Sequence, residues 1–127
     1  NLANLYRSLG DSALEAATLE EALNANQHSP LMHYAEGMRL IRSQDLNAAI
    51  THFNIATDIE PTNSNYLYIL ALALDKAGNT NRAIELLKAR SPNVEGRYEL
   101  LQLGLALSQK MGLNGEFTYF RKELEKI

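Results

Sequence analysis

The chain repeats itself every 34 residues, and that period constrains its fold more than any other feature. Gly10, Gln44, Gly78 and Gly112 stand 34 apart, as do Ala3, Gly37 and Ala71, and Leu19, Phe53 and Leu87. The pairs Ala22 and Ala56, and Ala49 and Ala83, keep the same spacing. A fixed period of this length marks a repeat architecture. No unit buries its own apolar face, and stacked units share one continuous core.

Helical periodicity runs throughout, and nothing reads as a strand. Tight breaks fall at Gly10-Asp11, Gln44-Asp45, Gly78-Asn79 and Gly112-Leu113. Glycine tolerates the left-handed conformation that ends a helix, and Asp or Asn caps the next one. Looser breaks fall at Ser29-Pro30, Glu60-Pro61 and Ser91-Pro92, where proline stops one helix and suits the first turn of the next. The alternation predicts eight helices in four antiparallel pairs, near residues 1–9, 12–26, 31–43, 46–59, 64–77, 80–90, 94–111 and 114–126.

Bulk properties exclude several classes. The 127 residues are one domain's worth of chain, 46% hydrophobic and 21% charged, as in an ordinary soluble globular protein. No apolar run approaches the length of a membrane span, and no signal-peptide pattern is present. A net charge of -3 with scattered Lys and Arg argues against nucleic acid as a partner. The absence of cysteine rules out disulfides and thiolate metal sites, and fits cytoplasm and periplasm equally. The chain opens at Asn1, partway through a repeat, which predicts a piece of a longer polypeptide.

These residues resemble the tetratricopeptide repeat (TPR) family. Residues 30–63 look like a nearly complete copy: Gly37 at the small site of the first helix, Leu40 at the large site, then Ala49, Phe53 and Ala56, with Pro61 closing the unit. Residues 64–96 repeat this with Leu70, Ala71, Leu74, Gly78, Ala83 and Leu87. Arg90 departs from the usual Ala, and the early Pro92 predicts a short second helix. Residues 1–29 match through Leu2, Ala3, Tyr6, Gly10, Leu19 and Ala22 without the front of the unit. Residues 97–127 match through Leu100, Leu103, Gly104 and Leu107 only if the register slips by one, and Phe117, Phe120, Leu124 and Ile127 suit a capping last helix. The resemblance implies an all-α, right-handed α-solenoid, residues 1–127 forming a single domain. Small residues let helix backbones approach, and large ones fill the space between layers.

The resemblance also implies a concave groove lined by the first helix of each pair and filled by an extended or helical peptide. Carried over residue by residue, the groove side holds Asn4 and Arg7, then Tyr34, Met38, Ile41 and Arg42. The third pair supplies Asn65, Tyr68, Leu72, Asp75 and Lys76, and the fourth Tyr98, Leu101, Leu105 and Ser108. Tyr and Met suit interfaces, and an exposed apolar stripe of this size marks binding. Periodicity alone leaves ordinary core packing open for Leu72, Leu101 and Leu105. Family members that clamp acidic C-terminal tails present Lys and Asn here. This chain has Asn1, Asn4, Tyr34, Met38, Tyr68 and Leu72, so a carboxylate would lack its charged partners.

No catalytic constellation emerges. His28, His33 and His52 fall on different elements without metal-ligand spacing. The acidic run at Glu15, Glu20 and Glu21 reads as a solvated face. The expected function is a non-enzymatic protein-interaction scaffold without a cofactor, its partner a separate protein or part of the parent chain. Self-association as a homodimer is one alternative. A docking or regulatory domain appended to a larger enzyme or multihaem redox protein is another, since residues 32–90 are similar to bacterial TPR regions of that kind.

Overall fold

In the computed structural model, which describes residues 16–21, 29–91 and 94–127, the helices follow the breaks set by the repeat. They are α1 (Pro30–Arg42), α2 (Leu46–Ile59), α3 (Ser64–Lys76), α4 (Thr80–Arg90), α5 (Arg97–Met111) and α6 (Asn114–Glu125). Residues 16–21 are also helical, and no strand occurs among the described residues. The expected helix at 1–9, much of that at 12–26, and the readings placed on Asn4, Arg7, Gly10, His28 and Pro92 lie outside the described residues.

Capping follows the sequence in part. Ser29 Oγ accepts from the Met32 amide, with Pro30 opening α1. Asp45 Oδ1 accepts from the Ala48 amide, and Asn63 Oδ1 from those of Asn65 and Tyr66. Asn79 was expected to cap α4 but makes no side-chain cap. Instead Thr80 Oγ1 donates to Asp75 Oδ1 at 2.6 Å.

The three described tight turns share one backbone pattern. Asp45 N donates to Leu40 O, Asn79 N to Leu74 O and Leu113 N to Ser108 O, each across six residues. The preceding residue donates to a carbonyl three back, from Gln44, Gly78 and Gly112 in turn. This arrangement needs a left-handed residue, and φ is +63° at Gln44, +86° at Gly78 and +70° at Gly112. Glycine enters that region without a Cβ penalty, whereas Gln44 bears it.

The chain divides into two compact units, Asn1–Ile59 and Glu60–Ile127. In the first, α1 packs on α2. Phe53 is fully buried, and a Cβ at Gly37 would meet its ring, 2.7 Å from Cδ1. In the second, α3 packs on α4, α4 on α5, α5 on α6, and α3 on α5. Its core includes Leu67, Leu70, Ala71, Leu74, Ala83, Ile84, Leu87, Leu100, Leu107 and Phe120. Two polar links reinforce it. Asp75 Oδ1 joins Thr80 and, at 2.8 Å, Lys110 Nζ, tying α3 to α4 and α5. Tyr119 Oη donates to the Lys88 carbonyl, and Lys88 Nζ lies 5.1 Å from the Tyr119 ring centre, tying α6 to α4.

One helix starts later than its spacing predicts. The sequence places the start of α5 at 94, but the helix begins at Arg97. Val94 is buried in the connection, its amide donating to Ser91 O, and Gly96 takes φ +78° just ahead of the helix. The chain therefore turns into α5 at Gly96. As expected, α4 is short, at 11 residues against 14 for α2.

Candidate partner-binding surface

The first turns of α3 and α5 meet in the second unit. Gly96 brings the α5 backbone so near α3 that a Cβ there would lie 3.3 Å from Ser64 Oγ. Above this contact the helices leave a cleft of about 370 Å³ lined by Ser64, Asn65, Tyr68, Gly96, Glu99 and Leu100. Leu100 is core at 1% exposure and forms the floor. Asn63 caps α3 with its own side chain, and Asn65 is exposed. Tyr68 is 36% exposed. Next to the cleft, Tyr98 is 48% exposed, and its hydroxyl accepts from Gln102.

The expected surface residues divide by what they touch. On α1, Tyr34, Met38 and Ile41 are half-buried and Arg42 is exposed. The Tyr34 ring stands 6.0 Å from that of Phe53, so it packs partly on the core. On α3, Asn65, Tyr68 and Lys76 are exposed and Leu72 is half-buried. Asp75 is committed to Lys110 and Thr80, whose hydrogen bonds, Lys110's first, hold its carboxyl below the usual carboxylate range. On α5, Leu105 is half-buried. Leu101 takes the core alternative that periodicity left open: it is 1% exposed and does not line the cleft. Ser108 is also fully buried, its hydroxyl donating to Gly104 O at 2.7 Å. Adjacent faces of one helix differ by a single residue step, which explains both assignments. Of the expected residues, the cleft unites Asn65 and Tyr68. It adds Ser64, Gly96, Glu99 and Leu100, which the sequence did not mark as groove residues.

The first unit holds a polar contact that sequence spacing did not reveal. His33 on α1 and His52 on α2 place their Nδ1 atoms 3.0 Å apart, with rings stacked at 5.3 Å. In this geometry one neutral ring donates and the other accepts. Beside them Glu36 accepts from Arg39 at 2.5 and 3.1 Å. Burial pushes the His52 imidazole below its ordinary value; Glu36 opposes the shift, and His33 and Arg39 add to it. Among the described residues, no group of three or more His, Cys, Asp or Glu is placed to hold a metal ion. No described helix is long and apolar enough to cross a membrane.

No protein-family model matches the chain, and no curated protein matches it in sequence. Solved structures do match. Two crystal structures of MamA superpose on it with TM-scores of 0.81 and 0.77, each at 20% identity. Each covers 98% of this chain, which spans 73% and 68% of the respective MamA chains. The fold is an all-α, TPR-like helical solenoid. At this identity the likeness carries the fold, and the surface must be read from the chain's own residues.

Proposed function

We infer that the chain is a TPR-type protein-interaction scaffold that binds a peptide or helical segment of a partner. The observation that carries this reading is the cleft between the first turns of α3 and α5, with Tyr68 and Tyr98 exposed beside it. Both tyrosines stand on first helices of repeat pairs. Large amphipathic rings left in solvent there suit a partner's side chains, since each offers apolar area and a polar end at low entropic cost. The cleft has an apolar floor and a few convergent polar groups, which is the usual make-up of a recognition site. Its side chains include no nucleophile paired with a base, so the site reads as a binding surface and not an enzyme's.

Site-specific photo-cross-linking tests the reading. The photoreactive residue benzoylphenylalanine replaces Tyr68, Tyr98 or, as a control on α4, the exposed Glu85. The reading expects one discrete partner adduct from positions 68 and 98 and none from 85. Equal adducts from all three positions, or none from any, would contradict it. Adducts between two copies of the chain would identify self-association instead.

A further inference from the structure

The cleft at the head of α3 and α5 has a chemistry more specific than a general apolar groove. Its described lining carries one formal charge, the Glu99 carboxylate. Glu99 is exposed and makes no ion pair with any described residue. The hydroxyls of Ser64 and Tyr68 and the Asn65 amide also lack a described side-chain partner, so each is open to a ligand. The wall is the Tyr68 ring and the floor is Leu100.

Three kinds of side chain can be weighed against this lining. An acidic one would sit beside an unpaired carboxylate. The positive end of α5, which favours an anion, is already offset by Glu99 in its first turn. A purely apolar one would strip water from Glu99 and Asn65 without replacing their hydrogen bonds, which costs free energy. A long basic side chain meets each feature. Its methylene stem lies along the Tyr68 face above the buried Leu100, and its cationic head reaches Glu99 and the Asn65 carbonyl oxygen. The chain's net charge of -3 favours the approach of a basic segment.

We propose that this cleft is a specificity pocket for a Lys or Arg side chain of the partner polypeptide, a statement that rests on the scaffold reading above. The pocket then fixes the register of the bound segment, while the neighbouring Tyr98 contacts flanking residues.

The test is an amide chemical-shift titration of the whole chain with the blocked tripeptide acetyl-Ala-Arg-Ala-amide. Its norleucine and Glu counterparts serve as comparisons. The expected result is saturable shifts at Asn65, Tyr68, Gly96 and Glu99 with the Arg peptide, weaker ones with norleucine and none with Glu. Because the ion pair is exposed, Glu99→Gln weakens the Arg peptide by about threefold to fivefold. Tyr68→Ser provides a second variant that keeps the charge and removes the wall. An equal response to the Arg and Glu peptides overturns the proposal, as does no saturable shift at the cleft up to the peptide's solubility limit. Cross-links from position 68 that persist beside a failed titration leave the scaffold reading intact and reject the basic side chain. A successful titration without any cross-linked partner rejects the scaffold reading, and with it the partner polypeptide, and leaves only the cleft's preference for a basic side chain.

Discussion

Gly104 and Phe120 repeat, 67 residues on, the relationship between Gly37 and Phe53. In each pair the ring is fully buried and occupies the space a Cβ on the glycine would need, with Cδ1 2.7 Å from that position. The offset is one residue short of two 34-residue periods, so Gly104 and Phe120 slip together while Gly112 between them keeps the 34-residue spacing. The repeat between them has Ala71 and Leu87 at the same places, both buried. A smaller residue on the first helix goes with a larger one on the second.

Gly104→Ala is therefore expected to destabilise the chain even though Ala is the better helix former. The propensity gain is about 1 kcal/mol. Displacing a close-packed ring costs about 1–3 kcal/mol. Phe120→Leu in the same chain should recover much of the loss, since it recreates the Ala71–Leu87 combination. Urea denaturation of the two single variants and the double variant measures the coupling. Simple additivity would show that the ring and the glycine do not share that space.

Gln44 bears a left-handed backbone without being glycine. Gln44→Gly should stabilise the chain by about 0.5–1 kcal/mol, after allowing for glycine's greater freedom when unfolded. Gly112→Ala should cost about 1 kcal/mol from backbone geometry alone, since an added Cβ there meets open space. Thermal melts of both variants check the pair of signs.

How much of this was legible depends on what the period records. It marks places where the backbone must turn or helices must approach, so Gln44, Gly78, Gly112, Gly37 and Phe53 were readable. It does not separate neighbouring faces of one helix, so Leu101 stayed open between groove and core and Ser108 was placed on the groove side, although both are buried. Contacts between residues on two antiparallel helices leave no short-range spacing, so the meeting of His33 and His52, 19 residues apart, was not readable. Only the fold around Val94 shows that the chain turns at Gly96 and builds the cleft wall.

Acid should weaken the α1–α2 pair through His52. Its folded value lies below the ordinary 6.5, so the unfolded chain binds the proton first as pH falls through 6.5. Stability then drops until the folded value is passed, and is fully present above the ordinary value. Urea midpoints measured from about pH 7.5 down to about pH 5 should fall, and His52→Leu should flatten that slope. Leu86 already stands at the position one period later. An unchanged slope in the variant would show that His52 does not carry the effect.

The Asp75 link should depend mainly on its covered partner. Thr80 is buried and its bond to Asp75 is 2.6 Å, so Thr80→Val should cost about 1 kcal/mol. The Lys110 side chain is 58% exposed, so Lys110→Met should change stability by less than about 0.5 kcal/mol. The Asp75 contribution is present above its ordinary value of 3.8 and is lost as pH falls through its depressed folded value. Chemical denaturation of the two variants at neutral pH ranks the partners; the reverse order would contradict the link as described.

Partner recovery by a Tyr68→Ser, Tyr98→Ser double variant, with its helical melt recorded alongside, tests the central claim most directly. The account predicts a chain that melts like the wild type and no longer retains the partner. A folded double variant that recovers the partner as well as the wild type does would contradict it.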